Sequence, residues 1–411
     1  TVTAPQGEVS QTLLAQYNDL AQILGFKSMA SKTIDTAGVI TNLNYGPAGY
    51  GEPEVLRSTV RADGKGNFVD YDSRGNVVYS TSTPATDSPE TNIVTTAVFP
   101  SICTTSKICN QPLTVTNARG VATEYVYDPD HGGVITETQA SATLGAPRPQ
   151  RRFGYTPLYA WFKNAAGSLV QATTPIFKLT SISECMSGEA PACIGTSNER
   201  RTIITYGVPG TPNNLLPTSV TVQSGDGAII STNTISYDII GNAISIDGPL
   251  PGSTDTEVTR YNAQREIVGQ IAADPDGPGP LARPAIRYTH DPRGNVSAVE
   301  VGTIAEQSEA DWADFVALNR ADTTYDVFGR RSQISLSAAG VIYSIAQYSY
   351  DANSRLECSA LRMNPDAYAA LPVSACTPGP VGSYGPDRIT RSMFNGSGQL
   401  ARIISAYGTS Q

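Results

Sequence analysis

Histidine is scarce in this chain of 411 residues, which contains two, His131 and His290. The sequence also has no Gly-x-Ser-x-Gly elbow, no His-Glu-x-x-His pair, no Gly-Lys-Ser/Thr phosphate loop and no dinucleotide-binding glycine set. General acid–base catalysis and transition-metal binding both draw heavily on histidine. The sequence therefore predicts no catalytic residue, no metal site and no cofactor. A carboxylate pair for glycoside chemistry stays open, although none of the 37 acidic residues stands out for that role.

Charge is also scarce, and what there is has an acidic balance. Charged residues make up 16 % of the chain, against about 25 % in ordinary globular domains. The net charge of −9 argues against nucleic-acid binding, which needs a basic surface. No apolar run reaches the roughly 18 residues that span a bilayer, and no charged-then-apolar leader opens the chain. We therefore expect no nucleic-acid partner and no membrane span.

Two short runs carry side chains that could bind a ligand. The run Asp274-Pro275-Asp276-Gly277 resembles part of a calcium loop but lacks the later carboxylate of such loops. His131 lies in the turn between Asp128 and Gly133, where a solvated histidine is the simpler interpretation and a metal or proton site the alternative. Neither run predicts a defined site.

What the sequence does contain is a recurring turn: an aromatic residue, Asp, two variable residues, then Gly and a polar residue. An alternating strand precedes the motif, and a second strand follows it. The Asp side chain can accept backbone amide hydrogen bonds, and Gly supplies a positive φ. We therefore predict a β-hairpin around each copy. The repeat residues are Tyr71, Asp72, Gly75, Tyr127, Asp128, Tyr237, Asp238, Gly241, His290, Asp291, Gly294, Tyr325, Asp326, Gly329, Tyr350 and Asp351.

The copies are spaced unevenly. The aromatic positions 237, 261, 290, 325 and 350 are 24, 29, 35 and 25 residues apart. Phe394-Asn395 begins a degenerate copy of the motif. This predicts a unit of roughly 20 to 30 residues with insertions elsewhere. His290 occupies the aromatic position of its copy, so we interpret it as a packed substitute for Tyr. The predicted fold is all-β: a ribbon or solenoid of hairpins with an N-terminal helix and small helical inserts.

These motifs resemble those of the RHS/YD-repeat family, named after the Tyr-Asp dipeptide. The likeness covers about residues 60 to 411, is typical of the alphaproteobacterial RHS proteins, and is carried by residues 273–277, 287–295, 362–365 and 385–388. The resemblance implies a β-ribbon that spirals into a hollow shell, often around a C-terminal toxin domain. The run Asp291-Pro292-Arg293-Gly294 shares letters with the family's autoproteolytic core. It lies inside a repeat without the flanking context, so cleavage is not carried over.

The six cysteines fall in three close pairs, and each pair brackets a loop rich in Ser, Thr, Gly or Pro. Nearest-neighbour closure predicts three disulfides, although six cysteines allow 15 connectivities. The metal alternative lacks the tight Cys-x-x-Cys spacing. Disulfides indicate an oxidising compartment, so we expect a secreted or cell-surface bacterial protein. The pairs are Cys103 with Cys109, Cys185 with Cys193, and Cys358 with Cys376.

The first 32 residues read differently from the rest. Residues 9–26 show a helical apolar stripe with Ser10 as N-cap and Gly25 as stop, which predicts a helical cap segment at 1–32. Residues 33–411 are predicted to form one continuous repeat domain. Helical inserts are expected at 308–318 and after Asn364. The uncapped end at Gln411 predicts a fragment of a longer chain, or an end that pairs with something else.

These observations favour a non-enzymatic, exported structural protein that forms a segment of a shell or fibre for encapsulation, surface display or adhesion. The expected partners are neighbouring repeat segments or further copies of the chain. One alternative is a subunit of a self-assembling extracellular filament, built through exposed strand edges. Another is a carbohydrate-binding module, because aromatic sheet faces can stack on sugars. A carbohydrate-active enzyme is the third.

Overall fold

A computed structural model of the chain describes residues 2–3, 9–14, 30–34, 40–47, 54–141, 143, 145–185, 190, 192–277 and 279–408. Nearly all regular structure is antiparallel β, and most strands pair with the next strand in sequence. The exception is Gln150–Leu158, which pairs with Ile176–Cys185, while the intervening strands Trp161–Lys163 and Leu169–Gln171 form a separate two-stranded sheet. This confirms the predicted all-β ribbon of hairpins. The chain divides into two compact units: Thr1–Leu158, Thr174–Ile204 and Thr221–Ile230 form the first, and Tyr159–Thr173, Thr205–Val220 and Ser231–Gln411 the second.

The strands that precede residue 207 belong mainly to the first unit. In chain order they are β1 Val2–Thr3, β2 Val9–Leu14, β3 Ala30–Ile34, β4 Ile40–Pro47, β5 Glu54–Arg61, β6 Gly66–Tyr71, β7 Val77–Thr83, β8 Ile93–Val98, β9 Thr114–Thr116, β10 Ala122–Tyr127, β11 Val134–Gln139, β12 Gln150–Leu158, β13 Trp161–Lys163, β14 Leu169–Gln171, β15 Ile176–Cys185 and β16 Glu199–Tyr206.

The later strands belong mainly to the second unit. They are β17 Pro217–Ser224, β18 Ile230–Tyr237, β19 Ala243–Asp247, β20 Glu257–Tyr261, β21 Ile267–Ile271, β22 Arg283–His290, β23 Val296–Ile304, β24 Val316–Tyr325, β25 Arg331–Ala338, β26 Val341–Tyr350, β27 Leu356–Arg362, β28 Arg388–Phe394 and β29 Leu400–Ile404. Helix α1 spans Glu309–Ala313, and a 3₁₀ helix spans Pro365–Ala370.

A β-bulge lies directly before the motif aromatic in the described copies. The pairing register shifts between Thr324 and Tyr325 and between Ser349 and Tyr350, and the same shift precedes Tyr71, Tyr127, Tyr237, Tyr261, His290 and Phe394. The extra residue lies in the strand that follows the turn, as Ser332 does opposite the step from Thr324 to Tyr325. The bulge increases the local twist and redirects the aromatic side chain.

The buried core of the second unit lies where long connections fold back over the sheet. Ile271, Ala285 and Ile304 form one cluster, against which Trp312 and Phe315 of the α1 connection pack. Cys358, Ala360, Ala375 and Ile389 form another, packed against Cys376 and Tyr407. A single sheet layer cannot bury its own face, so these connections supply the second layer.

The two insert predictions differ in accuracy. Helix α1 is shorter than the predicted 308–318, because Ser308 caps it in a capping box with Asp311 and β24 already begins at Val316. The turn after Asn364 is confirmed as a 3₁₀ helix, which has Asn364 as N-cap and Pro365 in the first turn.

The predicted helix at 9–26 is wrong over Val9–Leu14. These residues form β2, which pairs with β1 and β3, for example Thr12 opposite Thr33. Pairing partners on both sides supply the backbone hydrogen bonds that the helical stripe would otherwise have satisfied internally. Residues 15–26 lie outside the described part of the chain. The division at residue 32 stays a prediction.

Candidate functional site: the repeated turn along one edge

In the second unit, every predicted Asp turn lies on the same edge of the ribbon. Successive connections of an antiparallel ribbon alternate between two edges. One edge carries the turns that begin at Asp238, Asn262, Asp291, Asp326, Asp351 and Asn395, and we name it the motif edge. The opposite edge carries the connections 248–256, 272–282, 305–315, 339–340 and 363–387, and we name it the insert edge.

The turn at Asp326 shows the shared geometry. Asp326 Oδ1 accepts the backbone amides of Phe328 at 2.9 Å and Arg330 at 3.0 Å, and Oδ2 accepts Arg330 Nε at 2.7 Å. The Gly329 amide donates to the Asp326 carbonyl at 3.0 Å, and Gly329 has φ 77°. Desolvation raises the pKa of the Asp326 carboxyl, but the Arg330 and Phe328 hydrogen bonds outweigh it and hold the pKa below its ordinary value.

The same acceptor pattern recurs at four other predicted aspartates. In each, Oδ1 accepts the amides two and four residues ahead at 2.8 to 3.0 Å, while Oδ2 accepts the side chain four residues ahead. Hydrogen bonds to the ionised form lower the pKa of each of these carboxyls. These aspartates are Asp72, Asp238, Asp291 and Asp351.

The positive-φ position follows the prediction closely. Gly75, Gly241, Gly294 and Gly329 have φ between 77° and 90°, whereas Ser354 takes the same place in its copy with φ 63°. Asp128 departs from the pattern: its Oδ1 accepts the amides of Asp130 and His131, so the turn is longer.

Four asparagines build the same turn. The Oδ1 atoms of Asn117, Asn164, Asn262 and Asn395 each accept the amides two and four residues ahead at 2.8 to 3.1 Å. Tyr261 contributed to the predicted spacing, but the turn at Asn262 was missed, because Arg265 stands where Gly is expected, with φ 69°. An Asx residue directly after a strand was the available signal.

The motif tyrosines tie each hairpin to the one before it. Tyr325 Oη donates to the Val296 carbonyl at 2.8 Å, and Tyr350 Oη donates to the Arg331 carbonyl at 3.0 Å. Tyr71, Tyr127 and Tyr237 make equivalent bonds to Leu56, Pro112 and Pro217. Desolvation, with a smaller contribution from Tyr125, raises the pKa of Tyr127 to about 12. Phenylalanine could not make this bond, which explains the preference for tyrosine at this position.

Arginine side chains bridge neighbouring turns of the motif edge. Arg265 donates to the Ile240 carbonyl at 3.0 Å, and Arg293 donates to the Val327 carbonyl at 3.2 Å. The guanidinium groups of Arg330 and Arg355 lie 4.5 Å from the ring centroids of Tyr350 and Phe394. We call each such junction between two neighbouring turns a joint.

The two histidines are both packed. His131 lies with its ring centroid 4.5 Å from those of Tyr155 and Phe177, and its Nδ1 accepts the Gly133 amide at 3.0 Å. Its side chain is 11 % exposed, so the solvated interpretation is wrong. Tyr155 and Phe177 lie on strands that are distant from His131 in sequence, so the residues around His131 could not predict this packing. His290 is also 11 % exposed, and its Nδ1 lies 3.9 Å from Glu266 Oε2.

The cysteines lie in the predicted pairs. The Cα atoms of Cys103 and Cys109 are 5.0 Å apart, those of Cys185 and Cys193 5.8 Å, and those of Cys358 and Cys376 5.2 Å. All three distances are within disulfide range. The last pair anchors the 363–387 connection to the sheet.

A buried ion pair holds the same connection. Arg362 Nη1 lies 2.6 Å from Asp387 Oδ2, and both side chains are at most 3 % exposed. Arg362 also donates to Gln347, Thr377 and Ser374, while Asp387 accepts the Met363 and Gly379 amides. Desolvation raises the pKa of Asp387, but these hydrogen bonds outweigh it and lower the pKa.

Potential metal ligands do not cluster in the part of the chain that the structure describes. There, no three His, Cys, Asp or Glu side chains converge on one point. The Asp274 carboxylate of the calcium-like run lies 3.5 Å from the Arg283 guanidinium. None of the described helices is long and apolar enough to cross a bilayer.

Comparison with known proteins gives low structural similarity only. No protein-family model and no curated protein matches the sequence. Among solved structures, a TcdB2-TccC3-Cdc42 complex aligns at 12 % identity and TM-score 0.39, covering 97 % of this chain and 21 % of that chain. The Photorhabdus luminescens Tc holotoxin pore aligns at 12 % and 0.37, covering 98 % and 22 %. A porin-like protein from Bacteroides uniformis aligns at 16 % and 0.22, covering 61 % and 85 %. The chain thus spans about a fifth of the Tc toxin chains.

Proposed function

We propose that this chain is a non-enzymatic structural segment of an exported RHS/YD-repeat wall. The observation that carries the proposal is the repeated turn, in which a carboxylate or amide closes each hairpin and a tyrosine or arginine ties it to its neighbour. At four of the five joints of the motif edge, this recurring chemistry is thus occupied in contacts within the chain. Catalytic side chains would instead need to face a substrate.

A wall built in this way gains stiffness from many small contributions. Each intramolecular hydrogen bond contributes about 0.5–1.5 kcal/mol, and each cross-strand side-chain pair about 0.2–1 kcal/mol. Because each repeat bonds mainly to the next one, stability accumulates along the ribbon by nearest-neighbour terms. This is suited to a protein whose role is to enclose or to display.

Export is the second part of the proposal. Three cysteine pairs at disulfide distance support an oxidising compartment, since cytosolic thiols are kept reduced. Titration of free thiols in native, exported material tests this part. We expect no reactive thiol before reduction and six after it, and a full set of free thiols in the native protein would contradict export.

Electron microscopy together with light scattering tests the wall itself. A wall segment is expected to give discrete particles whose mass is independent of concentration. Uniform fibres that lengthen with concentration would contradict it in favour of a filament subunit.

A further inference from the structure

One joint of the motif edge differs from the other four in the second unit. The joints between the turns at 238 and 262, 291 and 326, 326 and 351, and 351 and 395 each hold a guanidinium group, from Arg265, Arg293, Arg330 and Arg355 respectively. The joint between the turn at Asn262 and the turn at Asp291 holds Glu266 and His290 instead. Glu266 occupies the turn position that Arg330 and Arg355 occupy in their own turns.

A cavity of about 420 Å³ opens at this joint. Its polar lining includes Asn262, Gln264, Glu266, His290 and Asp291, and no Lys or Arg side chain lines it. The two arginines of the flanking turns, Arg265 and Arg293, donate to the next turns outward on either side. The cavity lining therefore has two carboxylates and one imidazole, but no lysine or arginine.

The His290 imidazole presents an unused polar atom here. Its Nδ1 is buried and has no hydrogen-bond partner in the described structure, although the side chain is only 11 % exposed. Three motif tyrosines of this unit, Tyr237, Tyr325 and Tyr350, instead donate their hydroxyl to a neighbouring carbonyl. A buried polar atom without a partner is unfavourable, so a ligand that reaches it gains affinity.

We propose that this joint binds an arginine side chain supplied by a partner polypeptide. The guanidinium group would take the place that the chain's own arginines take at the other four joints. It would donate to the Glu266 carboxylate, whose Oε2 also accepts Asn262 Nδ2 at 2.6 Å, and to His290 Nδ1, with Asp291 adding negative potential. A planar fork of N–H donors suits a carboxylate and a ring nitrogen side by side better than a compact ammonium does. The proposal is independent of whether the chain forms a wall.

The chain offers its own reference for the measurement, because it has two histidines. His131 Nδ1 already accepts the Gly133 amide, its Nε2 lies 3.5 Å from Asp128 Oδ2, and its ring is packed against Tyr155 and Phe177, so both ring nitrogens already have a polar neighbour within the chain. In NMR spectra of histidine-labelled protein, the His290 resonances should therefore respond to an added ligand, and those of His131 should not.

The test is a titration of the labelled full chain with N-acetyl-arginine amide, against its uncharged isostere N-acetyl-citrulline amide. We expect saturable shifts of the His290 resonances with the arginine probe, no shift of His131, and affinity for citrulline weaker by about tenfold or more. No saturable His290 shift, equal response to citrulline, or equal movement of His131 would each overturn the proposal.

Two variants sharpen the result. Glu266→Gln should weaken arginine binding by about tenfold or more, while Asp226→Asn, an exposed acidic residue in a different turn, should leave it unchanged. Glu266→Arg should fill the joint from within and abolish the His290 response. Unchanged arginine binding in Glu266→Gln, or full binding in Glu266→Arg, would contradict the assignment of this cavity.

Discussion

The connections between strands are stabilised differently on the two edges of the second unit. On the motif edge, short turns repeat one set of bonds, and a residue two to four positions after the Asx fills each joint. On the insert edge, the connections range from the two-residue Ala339-Gly340 turn to the long 363–387 connection. Local hydrogen bonds stabilise the first edge, whereas burial, a buried ion pair and a disulfide stabilise the second. The motif edge is therefore the more regular of the two, and the insert edge holds the interactions that individually contribute most to stability.

The largest effect is expected at the buried ion pair of the insert edge. Arg362→Met leaves the Asp387 carboxylate buried without its cation, which costs about 3–5 kcal/mol. Chemical denaturation measures this loss. The double variant Arg362→Met, Asp387→Asn removes the unpaired charge and keeps one oxygen acceptor for the Met363 and Gly379 amides, so it should recover part of the stability. A loss below about 1 kcal/mol in the single variant would show that the pair does not organise the connection.

The next effect concerns the disulfide of the same connection. Replacing Cys358 and Cys376 by Ser should destabilise by about 3 kcal/mol, because the bond closes a loop of sequence separation 18. The Cys103–Cys109 pair, of separation 6, is the matched control and should contribute less. Equal losses from the two pairs would contradict the loop-closure account.

A smaller effect is expected at a single motif turn. Asp72→Ala removes the acceptor for the Arg74 and Asn76 amides and should cost about 1–2 kcal/mol. Asp72→Asn keeps Oδ1, as Asn262 does naturally, and should cost less than half as much. If Asn and Ala were equally damaging, the turn would depend on charge and not on the acceptor geometry.

A still smaller loss of stability is expected when one hydrogen bond between neighbouring hairpins is removed. Tyr325→Phe removes the hydroxyl bond to the Val296 carbonyl and keeps the ring, so we expect about 0.5–1.5 kcal/mol of destabilisation in thermal unfolding. Tyr343→Phe is the control, because that side chain is 53 % exposed and lies outside the motif. Equal effects of the two changes would rule out a special role for the motif hydroxyl.

The pH dependence should be modest and confined to acid. Asp72, Asp238, Asp291, Asp326 and Asp351 have lowered pKa values when folded, so their contribution is complete above the unfolded value of about 3.9 and is lost as the pH falls through the folded values. Thermal unfolding at stepped pH should show a decline below about pH 4. Asp72→Asn should reduce that decline, and an unchanged acid profile would contradict the attribution.

The sequence predicted the motif edge far better than the insert edge. The turn at Asp326 is encoded within five residues, so its bonds could be read without knowledge of the rest of the chain. The packing of Trp312 over Ile271 and the pairing of Arg362 with Asp387 join residues that are distant in sequence, and no local pattern signals them. The strand at Val9–Leu14 was missed for the same reason, since its pairing partners outweighed a helical pattern. The bulges before Tyr325 and Tyr350 depend on the partner strand and could not be predicted locally.

The central claim is that motif turns are linked to their immediate neighbours. Site-resolved hydrogen exchange in Tyr325→Phe tests it most directly. We predict faster exchange at the Asn295 amide, in the turn that leads to Val296, and at the Arg330 amide, with no change at the Gln399 amide in the turn at Asn395. Equal acceleration at all three amides, or none at Asn295, would contradict the account.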